Sequence, residues 1–214
     1  MTVSRPPYFS SFFSALDRQD AEGTKRRFEL KAHERFRDEE ERRKWQDPET
    51  ILLDIGLREG FTFVDLGCGD GFFAIPAAEL VGKKGRVYAV DADRKAVGGL
   101  KKKCAIEGLG NLTVKVGRAE ETIFCQACAD IVFFGIVLHD FNDPAAVLEN
   151  ARIMLRAAGR LIDLDWKKEP MELGPPAEIR FSEEEATRLI ESAGLTIETV
   201  KESGPYHYLI IAKP

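Results

Sequence analysis

The chain has 214 residues, a net charge of −5 and 44% hydrophobic content, enough for one domain with a sizeable core and a short appendage. This acidic balance argues against a long nucleic-acid duplex as a general partner, because neutralising phosphates needs clustered Lys and Arg. No run approaches the roughly 18 apolar residues of a membrane span, and the opening MTVSRPPYFSSFFSAL lacks the basic leader and apolar stretch of a secretory signal, so a cytoplasmic protein with no membrane partner is expected.

Residues 1–48 read as a separate unit. Tyr8, Phe9, Phe12, Phe13 and Leu16 recur at helical spacing, and a densely charged stretch, KRRFELKAHERFRDEEERRKW, follows. The pattern predicts a helical arm with two readings open: a solvated helix on the core, or a lid that brings His33 and Phe36 over a pocket.

Residues 49–214 are regular. A helix over 48–56 precedes a buried strand, FTFVDL (61–66), which ends in Gly67-Cys68-Gly69-Asp70-Gly71. A helix over about 72–82 closes at glycines. RVYAVD (86–91), a helix over 93–107, and LTVKV (112–116) come next. DIVFFGIVL (130–138) reads as the fourth strand, a helix spans about 143–156, and GRLIDLDW (159–166) is the fifth strand. Ser182 with Glu185 forms a capping box, and TIETVKES and YHYLIIAKP close the chain as a hairpin. Strands alternating with helices imply right-handed βαβ units and a parallel, doubly wound sheet, with the last two strands antiparallel at one edge. Cys125 and Cys128 form a lone C-x-x-C without a second pair or a His at ligand spacing, which reads as two small half-buried residues and not as a zinc or redox centre.

The motif Val64-Asp65-Leu66-Gly67-Cys68-Gly69-Asp70-Gly71 carries the chemistry. Glycines directly after a strand let the backbone turn tightly and approach a ligand at the carboxyl end of the sheet. A dinucleotide site calls for G-x-G-x-x-G facing a pyrophosphate. Here the spacing is G-x-G-x-G with Asp65 and Asp70 beside it. Two carboxylates repel a pyrophosphate and suit a ligand with an ammonium and a sulfonium, which favours S-adenosylmethionine over a nicotinamide. Asp91, about twenty residues on at the end of the second strand, is placed to accept ribose hydroxyls.

VDLGCGDG, YAVDAD, GRAEE and ADIVFFGIVLHDF together resemble the class I S-adenosylmethionine-dependent methyltransferases over residues 49–214. Within that class the chain is most similar to small-molecule enzymes of the quinone-biosynthesis and arsenite-methylating type. The resemblance implies a Rossmann-like seven-stranded sheet of order 3-2-1-4-5-7-6. It implies cofactor contacts from Asp65, Gly67, Cys68, Gly69, Asp91, Ala92, Ala119, Glu120 and Gly135, with S-adenosylhomocysteine as product. Arg118 stands where the family commonly has the Asp that meets adenine, so Glu120 or the Ala119 backbone would substitute.

Methyl transfer is an in-line displacement that needs alignment and exclusion of water. An oxygen nucleophile also needs a base. His139, in Leu138-His139-Asp140-Phe141, resembles the base of some O-methyltransferases, with a pocket-shaping role as the other reading. Asp140, Asp165 and Trp166 are further candidates for the acceptor pocket. The fifth strand ends Asp165-Trp166 and lacks the Asp-Asn of magnesium-dependent relatives, so no metal is expected. HDFNDP replaces the N/D-P-P-[YF] of RNA amine methylators. The expected activity is methyl transfer to a small-molecule acceptor. The alternatives are a protein- or RNA-modifying enzyme favoured by the basic residues of the arm, or a non-catalytic cofactor-binding protein.

Overall fold

Five apolar strands, each too hydrophobic to leave either face in water, decide the architecture. In the computed structural model, which describes residues 39–214, they form the middle of a seven-stranded sheet. The arm's aromatic stripe, His33 and Phe36 lie outside the described residues. The strands are β1 (Thr62–Leu66), β2 (Arg86–Asp91), β3 (Leu112–Val116), β4 (Ala129–Gly135), β5 (Leu155–Trp166), β6 (Thr196–Ser203) and β7 (His207–Lys213). Their order is β3-β2-β1-β4-β5-β7-β6, parallel through β5, with β7 antiparallel to both β5 and β6. This is the Rossmann-like order that the motifs imply.

Helices α1 (Glu39–Arg43), α2 (Pro48–Asp54), α3 (Ala74–Val81), α4 (Arg94–Glu107), α5 (Pro144–Met154) and α6 (Glu183–Ser192) complete the described chain. Strand alternation splits the core into two layers. Phe63, Val87, Ile131, Phe133, Ile162 and Leu164 pack against α3 and Leu100 of α4. Val64, Leu66, Val132, Phe134 and Leu161 face the other way, onto α5 and α6.

Two strand boundaries differ from the sequence reading by more than one residue. The fourth strand ends at Gly135 and not at residue 138, because Ile136 takes φ +64 and the chain leaves the sheet there. Positive φ is strained for a β-branched residue. Leu138–Asp140 instead forms a 3₁₀ turn. The fifth strand begins at Leu155, four residues early, directly after α5. Cys125 and Cys128 are half-buried before β4, but their sulfurs are bonded to each other, which differs from the reading of two unlinked residues. No helix among the described residues is long and apolar enough to cross a membrane.

Ser182 accepts from the Glu185 amide at 3.2 Å while the Glu185 carboxylate accepts from the Ser182 amide at 2.8 Å. Ser182→Ala removes the first of these, and a loss of about 0.5–2 kcal/mol is expected. Thermal unfolding should register it as a fall of roughly 2–4 °C per kcal/mol, whereas an unchanged midpoint would show that packing alone holds α6.

Candidate active site

The loop after β1 is lashed to the end of β2. The Gly67 and Cys68 amides both donate to the Val90 carbonyl, at 2.9 and 3.1 Å. The Gly69 amide donates to Asp91 Oδ2 at 2.7 Å, and the Asp93 amide to Asp91 Oδ1 at 2.8 Å. Asp93 in turn caps α4. Asp91 therefore holds the glycine loop in place, and each of its oxygens retains a second lone pair. Gly67 has φ +85, and a Cβ there would lie 2.6 Å from Val137 Cγ2, so this loop packs directly on the turn after β4. Gly69, with φ +53, has no atom of the described residues within 4 Å of where its Cβ would sit. Its bare Cα borders a cavity.

That cavity measures about 870 Å³, within the roughly 300–1,000 Å³ of small-molecule sites. It opens above the carboxyl ends of β1, β2, β4 and β5, at the point where strand order reverses from β1 toward β4, as ligand sites of open α/β sheets do. Asp65, Gly67, Cys68, Gly69 and Asp91 line one half. Gly135, His139, Asp140 and Trp166 line the other, where Gly174–Pro176 and Ile179 close it. Ala92, Ala119 and Glu120 are not among the described residues that line it. Ala92 is exposed, while Ala119 and Glu120 sit in a 3₁₀ turn whose carbonyls accept from Asn150. Glu120 also accepts from the Asn142 amide and pairs with Arg118.

Asp65 is 2% exposed, and its Oδ2 has no hydrogen-bond partner among the described residues. Burial, reinforced by the charge of Asp91 and opposed by Arg42, pushes its carboxyl up to about 8. Arg42 of α1 lies over the Phe72 ring, 3.7 Å from its centroid, and its Nε donates to Gln46 at 2.7 Å. Burial draws its guanidinium down to about 10, while Asp70, Asp65 and Glu39 favour its charge. Arg42 had registered in the sequence only as one basic residue of the arm. Its role in the wall depends on α1 returning to the sheet, which no local spacing announces.

His139 lies on the 3₁₀ turn after β4, and Asp165 at the end of β5 reaches it from the adjacent strand. The two Asp165 oxygens lie 2.8 and 2.9 Å from His139 Nδ1. This sets Nδ1 as the protonated nitrogen and leaves Nε2 3.5 Å from Asp140, another residue of the cavity wall. Burial opposes charging of His139, but Asp165, with Asp140, outweighs it and the net shift is upward. Asp163 shares the Asp165 face of β5, wholly buried, with neither oxygen hydrogen-bonded among the described residues. Burial and the neighbouring Asp165 push its carboxyl upward, which favours the neutral form. His207 is structural: it stacks on Trp45 at 5.5 Å and lies 4.3 Å from Trp166, and burial draws it down to about 3. Trp166 is both buried and part of the cavity wall. Asp143 caps α5, and among the described residues no cluster of three or more His, Cys, Asp or Glu is placed to hold a metal ion.

A family profile described as a methyltransferase domain matches residues 57–201. The chain belongs to that family. It is 33% identical over 111 residues to the nocamycin O-methyltransferase of Saccharothrix syringae, covering 51% of this chain and 40% of that protein. It is 25% identical over 132 residues to the demethylmenaquinone methyltransferase of Bacillus velezensis, covering 62% of this chain and 56% of that one. The matched stretch thus spans about half the length of these curated relatives. The crystal structure of a SAM dependent methyltransferase from Aquifex aeolicus superposes with a TM-score of 0.76 at 33% identity, over 80% of this chain and 91% of that one. The methyltransferase domain of this chain therefore has the fold and family of S-adenosylmethionine-dependent enzymes.

The raised carboxyl of Asp65 has a stability consequence. Its folded value, about 8, exceeds the unfolded one of about 3.9, so stability present below pH 4 is lost as pH rises toward 8. Asp65→Asn removes this loss. The difference in melting temperature, variant minus wild type without ligand, should grow more positive from pH 5 to pH 8; a constant difference would show that Asp65 is ionised in the folded protein.

Proposed function

We propose that this protein transfers a methyl group from S-adenosylmethionine to a small-molecule acceptor whose nucleophilic atom gives up a proton, such as a hydroxyl. The observation that carries the reading is the His139–Asp165 pair on the wall of the same cavity as the glycine loop. S-adenosylmethionine, when bound, supplies an electrophilic methyl on a sulfonium.

The residues present fit that group. Asp65, buried and with no partner on Oδ2 among the described residues, suits the ammonium of the methionine portion. The Arg42 guanidinium on the same wall suits its carboxylate. The bare Cα of Gly69 admits close approach, and the second lone pairs of Asp91 can accept ribose hydroxyls. Cys68 and Gly135 border this half of the cavity. The adenine contacts expected of Ala92, Ala119 and Glu120 would need these residues, now away from the wall, to be reached along the surface.

On the acceptor side, Asp165 holds the His139 ring in the tautomer that leaves Nε2 to take a proton as the acceptor oxygen attacks. The charge of Asp165 then stabilises the imidazolium. Phe72, Phe73, Trp166 and Ile179 present apolar surface that excludes water. One relative is named an O-methyltransferase and another a demethylmenaquinone methyltransferase; a small acceptor is carried over from those names and from the size of the cavity.

Calorimetric titration with S-adenosylmethionine, S-adenosylhomocysteine and NAD tests the cofactor. Binding of the first two without NAD is expected, and NAD alone would sink the reading. Asp91→Ala should weaken S-adenosylhomocysteine by about 1.5–3 kcal/mol; equal affinity would remove the ribose role. With the best acceptor from a screen of hydroxylated small molecules, His139→Ala should lower turnover about 10²–10⁴-fold. The activity of the wild type should rise with pH through the upward-shifted His139 value, and Asp165→Asn should move that limb to lower pH. A limb that stays in place would mean that His139 is not the base.

A further inference from the structure

The chain from Lys167 to Pro176 has neither helix nor strand, and Pro170, Pro175 and Pro176 deprive it of amide donors. Its carbonyls nevertheless converge on one side chain. Arg180, 3% exposed, donates from Nε to the Pro175 carbonyl at 2.7 Å and from Nη1 to those of Lys167 and Glu169 at 3.0 and 3.1 Å. Its Nη2 donates to Leu173 at 3.0 Å and again to Pro175. A guanidinium has five N–H donors in a rigid fork. All five are committed to the backbone of this loop, so Arg180 has none left for a ligand.

What the fork organises is the far wall of the cavity. Gly174, Pro175, Pro176 and Ile179 line it on the side of β4 and β5, with His139 and Trp166, and away from Asp65 and Asp91. Gly174 has φ +86, and a Cβ there would fall 2.8–3.0 Å from three carbons of the Trp166 indole, so the loop lies flat on the ring. The Arg180 guanidinium stands 5.6 Å over the same ring, and His207 supports the indole at 4.3 Å. Loop, arginine and indole form one stacked unit. Its cavity face is apolar and, with two successive prolines, stiff.

Resting on the methyltransferase reading above, we propose that Arg180 is a specificity-determining positioning residue. It sets residues 167–176 as a rigid apolar wall against which the flat, apolar part of the methyl acceptor lies, while the cofactor half of the cavity does not depend on it. Arg180→Lys keeps the charge and loses the fork. Gly174→Ala leaves the arginine intact and drives the loop off Trp166.

The test uses the full chain and the dye 8-anilinonaphthalene-1-sulfonate, an aromatic probe that carries one sulfonate, titrated with and without saturating S-adenosylhomocysteine. Saturable dye binding to the wild type is expected in both conditions. Each variant should weaken it at least tenfold while the dissociation constant for S-adenosylhomocysteine changes less than twofold. Amide exchange in 167–176 should accelerate at least tenfold in Arg180→Lys, with the amides of β1 and β2 unchanged. If Arg180→Lys does not fold, Gly174→Ala decides the matter by the same readouts. Dye and S-adenosylhomocysteine affinities falling together, dye binding untouched by the variants, or no dye binding to the wild type would each overturn the proposal. Failure of S-adenosylhomocysteine to bind the wild type would instead strike the cofactor reading, and the dye and exchange results without it still decide whether the loop is an apolar wall set by Arg180.

Discussion

Burial of three carboxyl groups at the carboxyl end of the sheet is the constraint around which the rest of the site is arranged. Asp65, Asp163 and Asp165 sit on β1 and β5 with almost no exposure. An ionised carboxylate taken out of water must be paired, or it gives up its charge. Each of the three meets that demand differently. Asp165 is paired with the His139 ring, burial shifts Asp163 toward its neutral form, and Asp65 faces a cavity where Arg42 favours its charge. A site with one paired acid and two whose charge burial disfavours, one of them facing the cavity, is asymmetric in charge. That asymmetry separates a half suited to a cationic ligand from a half suited to a neutral acceptor.

The packing that holds these groups comes from loops rather than from the sheet. The glycine loop is tied by amides to Val90 and Asp91 and rests against Val137. The turn bearing Val137 and His139 follows the left-handed Ile136, whose amide donates to Leu164 of β5 at 2.7 Å. The strain at Ile136 is thus maintained by a hydrogen bond to the neighbouring strand, and it aims His139 at Asp165. On the same side of the cavity Arg180 performs the corresponding task for the chain after β5. The sheet supplies the heights at which these loops begin, and polar contacts between loops determine where their side chains end.

Much of the scaffold was legible in the residues. Strands β2 and β3 are bounded as RVYAVD and LTVKV read, because apolar runs between turn signals have few alternatives. The capping box at Ser182 is present with both of its hydrogen bonds, since it depends only on residues three apart. The end of β4 was misread. Ile136, Val137 and Leu138 are as apolar as the strand before them, and a positive φ at a β-branched residue leaves no mark in composition. Among the site residues, the acids and glycines of β1 and β2 could be named from spacing. Their separation from Ala92, Ala119 and Glu120 reflects how the turns after β2 and β3 point, which depends on Asp93 capping α4 and on Asn150 of α5.

The sequence by itself determined the sheet, its order by resemblance, the glycine loop and the acids beside it, and the position of His139 just past the fourth strand. These follow from local periodicity, from the φ requirements of glycine and from motif spacing, all of which act over a few residues. Only the tertiary structure decided which acid meets which base. Asp165 lies 26 residues from His139, Arg180 reaches carbonyls up to 13 residues away, and Arg42 arrives at the wall from before the first strand. Such contacts are set by strand adjacency and by the need to pair charges removed from water. Neither leaves a periodic trace along the chain.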